Sequence, residues 1–206
     1  MNYELVSSQV VVMGEVMKYY KKLIGEKVYL SPLNVEDAEQ YCQWLNDFEV
    51  AKNLLIFNQQ LSLEREKMIL NDMVKNDAKI FSIINSKNDE LIGNCSIFKI
   101  NHRNRKAEVG IFIGNKECWN KGYGSEALSL LVDFGFNILN LNNIMLEVFG
   151  FNRRAIKAYE KVGFKIIGHR REAIIIADEK HDEIYMDILA SDFESPFIKP
   201  IFIKEK

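Results

Sequence analysis

The sequence is poor in the residues that staple a fold or hold a metal. Its three cysteines, Cys42, Cys95 and Cys118, are odd in number and lack paired short spacing. That excludes a disulfide framework and a cysteine-based zinc site, and it fits reduced thiols in the cytoplasm. No apolar run approaches the ~18 residues needed to cross a bilayer. The opening Met1-Asn2-Tyr3-Glu4 lacks the basic region and apolar stretch of a signal peptide. The expectations are therefore no membrane, no metal and a cytoplasmic location. Charge of one sign is also missing: 27 basic against 29 acidic residues leave a net charge of −2. Such a balance gives no global footprint for nucleic acid. Repeats and low-complexity segments are absent.

Apolar residues are plentiful, at 48% against 27% charged, enough for a packed core. Residues 1–24 read as a separate N-terminal helical extension, because Val10, Met13, Val16 or Met17, Tyr20 and Ile24 recur at helical spacing. A main domain over 25–190 follows. Val28-Tyr29-Leu30 is a short strand. Asn34 caps a helix reaching about Asn46, and Ser62 caps another to Lys75. Ile80–Asn85 and Leu91–Ile100 flank the turn-rich "SKNDE" as a hairpin, and Lys106–Gly114 is the next strand. A long amphipathic helix begins near Gly124, "NIMLEVF" is an apolar strand, and Asn152 opens a helix that Gly163 stops. Two strands close the domain around "ADEKHD". The tail, 191–206, carries Pro196 and Pro200 and reads as irregular. This order predicts a mixed α/β (α+β) layered domain.

The cluster Gly122-Tyr123-Gly124-Ser125-Glu126-Ala127 stands at the mouth of the long helix. A dinucleotide fingerprint allows the G-x-G-x-x-A form, but wants its first glycine directly after a strand. Here seven residues of loop, Asn115 to Lys121, intervene. A nucleotide phosphate loop fails, because no Gly-Lys-Ser/Thr ending exists and Lys121 precedes its glycine. Helix N-termini leave backbone N–H groups unpaired and carry partial positive charge, so small residues there let an anion approach closely. A helix start with glycine for turn geometry alone is the remaining reading.

The span "AEVGIFIGNKECWNKGYGSEALSLLVDFGF", followed by "LNLNNIMLEVFGFNRRAIKAYEKVGF", resembles the GNAT superfamily of acetyl-CoA-dependent N-acetyltransferases. Their Gln/Arg-x-x-Gly-x-Gly/Ala pattern matches Trp119-Asn120-Lys121-Gly122-Tyr123-Gly124, with Trp119 in place of the usual Gln or Arg. A second signature matches Asn152, Tyr159, Gly163 and Phe164. The tryptophan form is similar to the ribosomal-protein N-terminal acetyltransferase branch, and "INHRNRKAE" and "FGFNILNL" are similar to bacterial spermidine acetyltransferases. The resemblance covers residues 26–190. It implies a mostly antiparallel mixed sheet whose central parallel strands, here Lys106–Gly114 and Asn143–Phe149, splay apart to hold acetyl-CoA.

By that resemblance the backbone from Asn120 through Lys121, Gly122, Tyr123 and Gly124 to Ser125 grips the pyrophosphate, and Asn152 both caps its helix and contacts coenzyme A. Backbone groups of Phe112 and Ile113 meet the pantetheine arm, and an N–H there serves the oxyanion. Acetyl transfer needs a neutral amine, a stabilised oxyanion and a protonated leaving thiolate. Tyr159 is the candidate acid, with a core tyrosine as the other reading. Glu108, on the strand face opposite Val109, Ile111 and Ile113, is the candidate base, with a solvated strand glutamate as the other. His102, beside Arg103 and Arg105, is a weaker base, and His169 and His181 show no partner.

The resemblance implies a primary amine as acceptor: a protein N-terminus, a polyamine or an aminosugar. A non-catalytic acetyl-CoA-binding module is the reading from another class. Asp37, Glu39, Asp47, Glu49, Glu64 and Glu66 make the first two helices acidic, which would suit a cation, although such carboxylates often serve only as a solvated face. Trp44, Phe48 and Phe57 are candidates for an acceptor slot, Trp44 fitting a core position better. A homodimer is a further expectation.

Overall fold

The computed structural model describes residues 17–75 and 79–202. Its strands are β1 (Leu23–Ile24), β2 (Val28–Pro32), β3 (Lys79–Asn85), β4 (Leu91–Asn101), β5 (Lys106–Ile113), β6 (Asn143–Phe149), β7 (Lys165–Ile176) and β8 (Glu179–Leu189). The helices are α1 (Ala38–Leu45), α2 (Phe48–Ala51), α3 (Leu63–Lys75), α4 (Tyr123–Asn137), α5 (Arg153–Val162) and α6 (Lys199–Phe202). One eight-stranded sheet runs in the order β1-β2-β3-β4-β5-β6-β8-β7. Every neighbouring pair is antiparallel except β5 with β6. The mixed sheet expected from the sequence, with its central parallel pair, is the sheet observed.

Alternation along the strands puts helices on both faces. Val109, Ile144, Leu146, Val148, Ile184 and Met186 point one way and pack with Ala127, Leu128, Leu131 and Ile156 of α4 and α5. On the other face Tyr41, Leu45 and Leu70 of α1 and α3 form a second core, with Leu91 and Phe112 against it. Capping follows the sequence. Asn34 accepts from the Glu36 N–H ahead of α1, Ser62 Oγ accepts from the Arg65 N–H, and Asn152 accepts from the Ala155 N–H. Each satisfies a helix-start donor that would otherwise be orphaned.

Two stretches depart from expectation. The helix expected over 1–24 falls mostly on residues 1–16, which lie outside the described residues. Residues 17–22 carry no helix, and Leu23–Ile24 pair with Tyr29–Leu30 as an edge strand. At the other end, residues 190–192 and 199–202 form short helical turns, and the chain between them is anchored. Asp133 of α4, fully buried, accepts from Ser195 Oγ at 2.6 Å and from the backbone N–H groups of Phe197 and Ile198, each at 3.0 Å. Asn137 Nδ2 adds a fourth donor at 2.7 Å. Four hydrogen bonds compensate a buried carboxylate that has no ion-pair partner among the described residues.

Candidate active site

Strands β5 and β6 pair only at their first residues, Lys106 with Asn143, Ala107 with Ile144 and Glu108 with Met145. Both continue, to Ile113 and Phe149, without further pairing to each other. The open end is a cleft of about 490 Å³ bordered by Val109–Ile113, Leu146–Phe149, the start of α4 and one side of α5. It passes between the two faces of the sheet.

The backbone phase of β5 decides what the cleft offers. N–H and C=O of one strand residue share an edge, and successive residues alternate edges. Gly114 donates to Ile92 O, towards β4, so Phe112 also turns its backbone towards β4. The backbone of Ile111 and Ile113 therefore faces the gap. The Ile113 carbonyl already accepts from Trp119 Nε1 at 2.8 Å, which leaves the Ile113 N–H and both backbone groups of Ile111 turned to the gap. Phe112 contributes its ring instead, packed edge-on against Tyr41 and Trp44. The resemblance implies backbone contacts from Phe112 and Ile113; the phase of β5, set by how it meets β4, turns Ile111 to the gap in place of Phe112.

At the start of α4, Gly122 is left-handed with φ +86°, a conformation that glycine alone adopts at little cost. No described residue accepts a hydrogen bond from the backbone N–H of Gly122, Tyr123, Gly124 or Ser125; the first helical bond runs from Glu126 N–H to Gly122 O. Lys27 brings a cation to this turn, its Nζ donating to Lys121 O at 2.8 Å. Glu126 Oε1 accepts from the N–H groups of Lys27 and Val28, fastening the turn to β2. Four free donors, a positive helix end and a nearby ammonium fit a diphosphate. Lys121 and Asn120 are exposed on the same turn.

Helix α5 lies on the α4 side of the gap and carries Tyr159, which lines the cleft and packs against Phe164. Its hydroxyl has no hydrogen-bond partner among the described residues. Burial pushes the phenol up to about 12, with Arg154 pulling the other way. It therefore holds its proton at any physiological pH. Arg154 stacks 3.8 Å above the Trp119 ring, a cation–π contact that no motif revealed. The Asn152 side-chain oxygen is occupied by its cap, and the residue also borders the cleft.

Carboxylates gather on the opposite face. Glu108, Glu147 and Glu183 come from β5, β6 and β8, and all three line the cleft. Glu108 is ion-paired to Lys99 at 2.7 Å. Glu183 accepts from Tyr185 Oη at 2.7 Å and lies 3.8 Å from Arg170. Glu147 has neither kind of partner among the described residues. Its carboxyl is raised above the usual glutamate value, first by burial and then by Glu183 and Glu108. Of these three the sequence pointed to Glu108, as base; the acids it named for a cationic acceptor lie on the first helices. Asp37 is buried and takes Tyr19 and Lys18, Asp47 and Glu49 hold Lys116, and Glu66 faces the interior. Trp44 is packed with Tyr41 and Phe112, and a Cβ on Gly114 would fall inside its ring. Phe57 meets Phe149 edge-on near the cleft, while Phe48 is exposed. His102 sits on an exposed turn, His169 is 3.8 Å from Asp182, and His181 packs on Phe151. Among the described residues no group of side chains could hold a metal ion, and no helix is long and apolar enough to cross a membrane.

Residues 27–165 match the family model described as the acetyltransferase (GNAT) domain. An uncharacterized N-acetyltransferase p20 of Bacillus licheniformis is 35% identical over 153 residues, covering 73% of this chain and 85% of that protein. Spermidine N(1)-acetyltransferase of Escherichia coli (strain K12) is 30% identical over 169 residues, covering 82% and 89%. Among solved structures, spermidine N-acetyltransferase from Vibrio cholerae in complex with CoA and spermine superposes with a TM-score of 0.73. It is 26% identical, and the match covers 82% of this chain and 98% of that one.

Proposed function

The chain belongs to the GNAT acetyltransferases, and on that premise we propose that it moves the acetyl group of acetyl-CoA to a primary amine of a small polycationic acceptor of the spermidine type. The observation that carries the acceptor class is the convergence of Glu108, Glu147 and Glu183 on the face of the gap opposite Tyr159. A peptide N-terminus brings one ammonium, whereas three carboxylates on neighbouring strands suit several. Similarity to the E. coli and V. cholerae spermidine acetyltransferases supports the same reading.

Roles for the residues follow from their places. Backbone N–H groups of Gly122 to Ser125 hold the diphosphate, with Lys27 and Lys121 adding charge. Ile111 and Ile113 line the gap for the pantetheine arm, and their N–H groups, turned to the gap, are the donors available to a carbonyl oxygen. Bound acetyl-CoA supplies an acetyl group activated as a thioester. Glu147 takes the proton of the incoming ammonium at its carboxylate. Its raised proton affinity matches that task better than Glu108, whose negative charge is already claimed by Lys99. Glu183 and Glu108, the latter in competition with Lys99, add negative potential around the amine's remaining charges. On the far side, Tyr159 Oη keeps a proton to deliver to the departing sulfur. The amine enters from the α1–α2 face and the co-substrate from the α4–α5 face, so the two meet in the gap without a covalent enzyme intermediate. The three free thiols suit work in the cytoplasm, where they stay reduced.

The test is an acceptor panel with purified protein, following coenzyme A release with spermidine, spermine and a peptide bearing a free N-terminal alanine. Turnover of the polyamines with little turnover of the peptide is the expected result. Efficient acetylation of the peptide alone would overturn the acceptor assignment.

A further inference from the structure

Lys116 lies outside the cleft and has no part in the chemistry above. Its Nζ is 2.7 Å from Asp47 Oδ2 and 2.8 Å from Glu49 Oε2. Both carboxylates belong to the first turn of α2, where Asp47 accepts from the Glu49 N–H as the helix cap. Past α2 the chain turns through Asn53, Leu54 and Leu55, which line the α1–α2 side of the cleft together with Val50. In the other direction, Lys116 opens the 3-10 turn Lys116–Cys118. That turn feeds directly into Trp119 and the unpaired N–H groups of Gly122 to Ser125.

One side chain thus ties the wall on one face of the sheet to the anion turn on the other. The tie is reinforced two residues earlier, where Gly114 lies under the Trp44 ring at the end of α1. Glu49 also acts electrostatically on Arg154, the residue stacked on Trp119, so the same helix senses the turn from a second direction. A lysine shared by two carboxylates forms a small network, the arrangement in which an exposed ion pair contributes most.

We infer that Lys116 is a positioning residue that couples the acceptor wall, residues 47–55, to the phosphate turn, so that filling the turn steadies the wall against which the amine docks. The inference rests on the assignment of that turn to the diphosphate of the co-substrate. Ordering one element lowers the cost of ordering its neighbour, which makes the two sites cooperative.

The experiment is hydrogen exchange on the full chain with and without coenzyme A, for the wild type, Lys116→Met and Lys116→Arg, with binding measured by calorimetry. Coenzyme A is expected to slow exchange at 119–125 in all three. At 47–55 it should slow exchange about five-fold in the wild type and in Lys116→Arg, the scale of one exposed ion-pair network. In Lys116→Met that protection should fall below about two-fold, while methionine preserves the aliphatic stem. Equal protection of 47–55 in Lys116→Met would overturn the inference, as would coenzyme A binding to the wild type without any effect there. Failure of coenzyme A to bind the wild type at all is a different result, and overturns the assignment of the turn together with the inference.

Discussion

Replacing Glu147 by glutamine should make the protein more stable and less active at once. Glu147 sits on β6 with Tyr185 directly across on β8, so Glu183 is its diagonal neighbour on that side. Glu108 pairs with Met145 on the other side and is the second diagonal neighbour. Burial comes first among the causes that raise its carboxyl, followed by these two like charges. A group whose folded-state pKa exceeds its unfolded value favours the folded state only while it is protonated. That contribution is complete below the unfolded pKa and is lost as pH rises through the folded one. At pH 8 the ionised Glu147 therefore costs stability, and glutamine removes the cost. Diagonal like-charge contacts on a sheet are worth tenths of a kcal/mol to about 1 kcal/mol each. The expected gain is on the order of 1 kcal/mol, a Tm rise of about 2–4 °C for a chain of this size. Thermal melts of both proteins without ligand at pH 8 and pH 4 test this, since the gain should disappear at the lower pH. Rates complete the prediction: kcat/KM should fall about 10²-fold or more near neutrality, and the deficit should shrink at alkaline pH, where the amine loses its proton unaided. An equal or lower Tm at pH 8, or a parallel loss of rate at every pH, would refute the reasoning.

Tyr159→Phe should lower kcat at least about ten-fold while leaving coenzyme A affinity by calorimetry unchanged, and an unchanged kcat would remove the hydroxyl from proton delivery. Gly124→Val places its methyls between the anion turn and Ile113, whose side chain would already lie 3.4 Å from a Cβ there. Coenzyme A affinity should weaken about ten-fold or more, the scale of one or two lost charge-assisted hydrogen bonds, and normal affinity would put the anion elsewhere. Asp133→Ala strands the four donors that converge on that carboxylate. Stability should fall by about 3 kcal/mol, a Tm drop of roughly 6–12 °C, with new protease sensitivity within residues 190–202; an intact, equally stable protein would show that the tail does not depend on this anchor.

The fold was legible because its signals are local. Asn34, Ser62 and Asn152 each stand one residue before a helical segment and cap it through a side chain. The hydrophobic period changed from two to 3.6 at the right places to mark strands and helices. Residues 17–24 misled because Tyr20 and Ile24 share a helical spacing that a short edge strand also permits. Helix α2 was too short to show a period at all.

The site divides along the same line. The proposed co-substrate half is written in consecutive residues, since a glycine turn before a helix must expose N–H groups wherever the rest of the chain goes. The proposed acceptor half is not, because Glu108, Glu147 and Glu183 lie far apart in sequence and become neighbours only through the register of β5, β6 and β8. Tertiary packing also sorts the acidic stretch of the first helices: Asp37, Asp47, Glu49 and Glu66 are each committed to a lysine, a tyrosine or the interior, while Glu39 and Glu64 are exposed. A carboxylate becomes available for an amine when the fold leaves it without a cation, and that property belongs to tertiary structure. Glu147 meets the condition more fully than Glu108, and the difference between them is a single lysine on β4.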